Sequence, residues 1–200
     1  MERHSRKCRF KNPKVVESKC KIMLDQILKD SKKQLEAALK HKKHPFRFFT
    51  LGTLQKGQGA RLRTVVLRDF DPDQFLFTVF TDTRSKKVQQ LKQNPNATGL
   101  FYDPIRMIQL VVDLKTVELK EETDLFDNLP EQSKKDYTSV FTPGSIIATP
   151  DRLNHDYSTP HFTRIQFQAE CIEYLKLKRP NHIRASFSLE DQWRGNFLTP

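Results

Sequence analysis

From Phe46 onward the chain falls into short runs rich in β-branched and aromatic residues, each closed by a turn-forming cluster. This rhythm restricts it to a mainly β domain. The runs are Phe46 to Leu54, Leu62 to Arg68, Phe75 to Thr81, Ala97 to Tyr102, Ile108 to Leu119 and Phe162 to Tyr174. Lys56-Gly57-Gln58-Gly59 joins the first pair and Asp69-Phe70-Asp71-Pro72-Asp73 the second. Both links are short enough for antiparallel hairpins. Six such strands predict a six-stranded antiparallel barrel.

Helical periodicity appears in three places. Between Lys21 and Lys43, Leu24, Ile27, Leu28, Leu35, Ala38 and Leu39 form one apolar stripe opposite a lysine-rich face, and His44-Pro45 ends it. This amphipathic helix is expected to pack on the barrel or on a partner. Arg84 to Gln93 reads as a short helix with Val88 and Leu91 inward, Asp82 and Thr83 as capping candidates and a stop at Asn94-Pro95. Residues 121–141 read as two helical pieces around Pro130, and residues 142–161 as a long polar loop of the kind that often walls a site.

A chain of 200 residues is long enough for one domain with a substantial core. With 36% hydrophobic and 30% charged residues, collagen-like, low-complexity and wholly disordered chains are excluded. No apolar run approaches the roughly 18 residues of a membrane-spanning helix. The net charge of +11 is uneven: residues 1–44 hold 14 Lys or Arg against 5 acids, leaving 21 against 19 in the rest. The reading is therefore a basic flexible leader over residues 1–20 and a single domain over 21–200, with no nucleic acid as the main partner. Cys8, Cys20 and Cys171 make no CxxC pair, and the histidines lack zinc-site spacing, so reduced thiols, a cytoplasmic setting and no metal are expected.

The densest chemistry lies between Arg63 and Gln109. In Arg63-Thr64-Val65-Val66-Leu67-Arg68, alternation puts Arg63, Val65 and Leu67 on one face and Thr64, Val66 and Arg68 on the other. Arg84-Ser85-Lys86-Lys87 then opens a helix straight after a strand. Cations at a helix amino terminus oppose its dipole unless an anion compensates. A phosphate is such an anion, met by backbone N–H groups, the Ser85 hydroxyl and the lysine ammonium groups; a solvated basic turn is the alternative.

Taken in order, Arg63 to Arg68, Phe80-Thr81, Arg84 to Lys87 with Leu91 and Asn94-Pro95, and Gln109 resemble the flavin mononucleotide (FMN) site of the pyridoxamine 5'-phosphate oxidase family. Ile172-Glu173-Tyr174-Leu175, Arg184, Trp193 and Leu198-Thr199-Pro200 continue the likeness, which covers about residues 44–200. The resemblance implies a split barrel in Greek-key order, a homodimer with FMN in the clefts between subunits, and FMN-dependent oxidoreductase activity on pyridoxamine or pyridoxine 5'-phosphate or another small substrate. By carry-over, Arg63 and Lys87 bind the FMN phosphate with help from Thr81, Lys86 stands where the family often has a second basic residue, and Ser85 belongs to the cofactor set. Thr64, Val65, Val66, Leu67, Arg68 and Phe80 belong to the same cofactor set. Gln109 bonds the ring, Arg184 approaches it from the carboxyl-terminal segment, and Gly144 with Ser145 fall at a further flavin-contacting pair. Arg68 and His182 are the substrate-side residues.

The substrate half of the family pattern is thinner. No arginine stands between Arg106 and Arg152, where the family uses one for the substrate phosphate, and Lys134 or Lys135 offers a point charge in place of a fork. The family's Arg-x-His reads Pro180-Asn181-His182, its tryptophan near the flavin is Leu175, and the arginine of the terminal motif is Phe197. Two alternatives stand beside the enzyme: a non-catalytic flavin-binding protein, and a binder of nucleic acid or anionic surfaces through the basic amino-terminal segment.

Overall fold

The computed structural model describes residues 13–55, 57 and 59–200. The chain runs α1 (Pro13–Lys40), β1 (Phe48–Gln55), β2 (Gly59–Val66), β3 (Asp69–Asp71), β4 (Leu76–Asp82), α2 (Lys86–Gln93), β5 (Asn96–Asp103), β6 (Ile108–Lys120), α3 (Thr123–Asp127), α4 (Glu131–Lys134), β7 (Phe162–Lys176), β8 (Ile183–Ser188) and β9 (Gly195–Leu198). Every strand pairing is antiparallel, in the order β2-β1-β5-β6-β7-β4-β3, with β8 on β7 and β9 on β8. Strand β7 pairs β6 along most of its length, while its other edge serves β4 first and β8 afterwards. The sheet curls back on itself where the Arg68 N–H, just past β2, donates to the Thr78 carbonyl on β4 at 2.9 Å.

All six expected strands are present, and nine form the sheet. The link at Asp69 to Asp73 is not a hairpin between β2 and β4. Asp69–Asp71 is itself a strand, and β3 makes the hairpin with β4. Strands β8 and β9 pair through Ala185 and Phe197 across a short register. The helix read over residues 21–43 runs from Pro13 to Lys40, so residues 13–20 of the proposed leader are helical, and the rest of that leader lies outside the described residues. The helix stops at Lys40 because the chain turns there: the His44 N–H bonds the His41 carbonyl, and Pro45–Arg47 forms a 3-10 turn. The two helical pieces around Pro130 are α3 and α4, and residues 142–161 are chiefly loop.

The core is aromatic. Phe49 and Phe101 stack at 4.4 Å between centroids, with Phe46, Phe77, Phe167 and Phe187 fully buried around them. Helix α1 closes one side by burying Leu24, Ile27, Leu35 and Ala38. At the carboxyl end β9 crosses so close to the core that a Cβ on Gly195 would collide with the Phe187 ring. Among the described residues no helix is long and apolar enough to cross a membrane.

Candidate functional site

The inward face of β2 carries Arg63 in line with buried Val65, as the alternation predicts. Arg63 sits opposite Leu51 on β1. Its guanidinium donates to the Leu51 carbonyl at 3.2 Å, to Thr53 Oγ1 at 2.5 Å and to Gln90 Oε1 at 3.1 Å. Thr53 in turn donates to Gln90 Oε1 at 2.6 Å. Beside it, Lys87 Nζ from the first turn of α2 donates to Thr81 Oγ1 at 2.6 Å and to Ser85 Oγ at 3.3 Å.

Two cations therefore face each other across the start of α2, and among the described residues neither is ion-paired. Their hydrogen bonds all go to neutral oxygens. The cost shows in protonation: burial first, and then the Arg63 charge, pull Lys87 down to about 8, while Asp82 pulls the other way. Arg63 is also lowered, by burial and by Arg61. Ser85 precedes α2 with no side-chain bond to the helix backbone, because its hydroxyl sits with Thr81 and the Lys87 ammonium. Paired cations, two hydroxyls and a helix start without a side-chain cap make a cradle of donors with the chemistry to receive an anion.

Other expected site residues are placed differently. Lys86 is exposed and outside the cradle. Asp82 and Thr83 do not cap α2: Asp82 Oδ1 accepts the Arg84 N–H at 2.8 Å, and Thr83 Oγ1 meets Thr163 Oγ1 at 2.7 Å. Arg84 bonds Asp82 and the carbonyls of the 139–141 segment. On the opposite face of β2 lie Thr64 and Val66, continued by Arg68, whose guanidinium rests 5.5 Å from the centre of the Phe80 ring and whose charge acts on Tyr137. Leu67 is fully buried.

Gln109 lies on the outer face of β6, separated from β2 by β1 and β5, in register with Leu175 and, through it, with Arg184 on β8. Arg184 is held by Glu173 at 2.8 Å. His182 is exposed and accepts the Lys178 N–H through Nδ1 at 3.1 Å. Gly144, at φ +90°, and Ser145 occupy the exposed part of the long loop. One chain thus brings together Arg63, Thr81, Ser85 and Lys87, and leaves Gln109, His182 and Arg184 apart from them. Thr53 and Gln90 escaped the sequence reading. The signal was present: Thr53 breaks the inward alternation Phe49, Leu51, and Gln90 is a polar residue on the buried side of α2.

Residues 29–115 match the model of the pyridoxamine 5'-phosphate oxidase FMN-binding domain, a stretch holding the whole Arg63–Lys87 cradle and Gln109. Over this stretch the chain is similar to the pyridoxamine 5'-phosphate oxidase family. The cofactor of that domain is FMN.

Among similar proteins, the pyridoxine/pyridoxamine 5'-phosphate oxidase of Aliarcobacter butzleri is 34% identical over 88 residues, 43% of this chain and 41% of that protein. The chain thus matches about two-fifths of that relative's length. The enzyme of the same name from Herminiimonas arsenicoxydans is 27% identical over 171 residues, 75% of this chain and 79% of its own. The fold is shared with an FMN-binding, pyridoxamine 5'-phosphate oxidase-related protein of Nostoc punctiforme (TM-score 0.64, 22% identity, 82% of this chain and 94% of that one). It is shared too with PhzG of Burkholderia lata, solved with tetrahydrophenazine-1-carboxylic acid (TM-score 0.67, 15% identity, 84% and 90%).

Proposed function

We propose that this chain is an FMN-dependent oxidoreductase that works as a homodimer, with the FMN phosphate held in the cradle of Arg63, Lys87, Thr81 and Ser85. The observation that carries the reading is the pair of partly buried cations hydrogen-bonded only to neutral oxygens, an arrangement that a phosphate dianion relieves. Thr53 and Gln90 fix the Arg63 fork, and Thr81 aims the Lys87 ammonium. The β2 backbone from Thr64 to Leu67 and the side chains of Val66, Phe80 and Arg68 form the wall along which the ring lies. When bound, FMN supplies two-electron redox chemistry.

A second copy completes the site. Gln109 and Arg184 lie on the outer sheet face, separated from β2 by β1 and β5 and by β1, β5, β6 and β7 respectively, so they reach a flavin on that cradle from a partner. That face also exposes Phe48 (54%), Leu62 (70%), Leu100 and Tyr102, an apolar area that a partner subunit covers. Ser145 approaches with the 142–161 loop, Lys86 adds charge at the cradle rim, and Arg68 with His182 faces the substrate.

Non-catalytic flavin binding is favoured by one specific observation. Lys134, a stand-in for the family's substrate-phosphate arginine, is already paired with Glu131 at 2.9 Å. The test is the visible spectrum of protein loaded with FMN, followed by addition of pyridoxamine or pyridoxine 5'-phosphate or a nicotinamide donor without oxygen. Bleaching of the bound flavin by one of them supports the enzyme. A stable oxidised spectrum with all of them supports the binding protein, and failure to take up FMN overturns both.

A further inference from the structure

Arg84 stands in the sequence among the residues of the basic turn, yet its guanidinium is fully committed elsewhere. Nε donates to Asp82 Oδ1 at 3.1 Å and Nη2 to Asp82 Oδ2 at 2.7 Å. Nη2 also donates to the Ser139 carbonyl at 2.7 Å, with the Phe141 carbonyl at 3.3 Å, and Nη1 reaches the Val140 carbonyl at 3.4 Å. Asp82 is 5% exposed, closes β4 one residue after Thr81, and is near enough to Lys87 for its charge to act on that ammonium. An unpaired carboxylate there is drawn to Lys87 and repels any phosphate that approaches it. The groups around Lys87 are Thr81 and Asp82 from β4, Ser85 from the turn and Arg63 from β2.

We propose that Arg84 is a positioning residue: by forking onto Asp82 and tying it to the 139–141 carbonyls, it withholds that carboxylate from Lys87 and leaves Arg63 and Lys87 unpaired for an anion. The same bonds anchor the start of the long loop to the turn that forms the cradle, so the wall and the phosphate site move as one piece. The proposal rests on the phosphate reading of the cradle, and goes beyond it in tracing the unpaired state of Arg63 and Lys87 to a residue whose guanidinium is bonded elsewhere.

The experiment follows the Lys87 side chain by NMR across pH in the flavin-free chain, its resonance assigned by its loss in Lys87→Arg, alongside FMN titrations at pH 7. In Arg84→Met the freed Asp82 raises the Lys87 midpoint by about one unit and weakens FMN by about tenfold. In Arg84→Met with Asp82→Asn the midpoint falls back and FMN binding returns to within about threefold of the unaltered chain, since a tenfold change corresponds to one pKa unit. Should Arg84→Met fail to fold, Asp82→Asn alone reads the same point: FMN binding stays at least as tight and the Lys87 midpoint falls. An unmoved midpoint in Arg84→Met, no recovery in the double variant, or weaker FMN binding in Asp82→Asn overturns the proposal. Absence of FMN uptake by the unaltered chain overturns the phosphate reading instead, and the lysine titration still decides the role of Arg84.

Discussion

Lys87 is held in a site that disfavours its own charge. With its midpoint at about 8 against an ordinary 10.5, the folded chain binds that proton less tightly than the unfolded chain does. The sign follows from linkage: between those two values the unfolded state carries more protons, so this group lets stability rise with pH from about 8 to about 10.5, and its penalty is complete below 8. Phosphate binding runs the other way, since the anion needs the ammonium. FMN affinity, measured by flavin fluorescence, is expected to hold from pH 6.5 to 7.5 and to fall above about 8. Lys87→Arg, charged throughout that range, is expected to remove the fall; an identical decline in both proteins would separate Lys87 from the phosphate. Arg63 and Lys87 were legible in the sequence because cations at a strand and a helix start need a reason. Arg84 was not, because its distinguishing feature is a partner two residues back and three carbonyls more than fifty residues away.

At the scale of elements, the strands that alternate cleanly were readable to within a residue or two: β5 buries every second residue, and β6 keeps Leu110, Val112 and Leu114 inside. Strand β3 was not, since Asp69-Phe70-Asp71 is turn-like in composition and becomes a strand through pairing with β4 and burial of Phe70. Strands β8 and β9 were missed because their pairing depends on β7, whose free edge no local pattern reveals. Strand β9 is also held by a close approach. Gly195→Ala places a methyl group against the Phe187 ring, which is fully buried, so β9 must move. A loss of about 1 to 3 kcal/mol in urea unfolding is expected, the usual range for overpacking; an unchanged midpoint would show that β9 is loosely docked.

The whole molecule divides its flavin-site candidates between two regions of one curled sheet, and this division was invisible before the topology was known. Arg63 and Lys87 converge through β1, β2 and α2, whereas Gln109 and Arg184 share a row on the outer face with exposed Phe48 and Leu62 nearby on β1 and β2. If a second copy covers that face, Phe48→Asp with Leu62→Asp leaves a folded monomer by light scattering and weakens FMN even though neither residue belongs to the cradle. A dimer that persists would place the partner elsewhere. In the proposed site Arg63 and Lys87 hold the phosphate of the flavin more than its ring. The most direct measurement is a parallel titration with FMN and with riboflavin, which lacks the phosphate. FMN is expected to bind at one per subunit and more tightly than riboflavin, with Lys87→Ala and Arg63→Ala each removing about 1.5 to 3 kcal/mol from FMN binding and leaving riboflavin unchanged. Equal affinity for the two flavins, or equal losses for both in the variants, would contradict it.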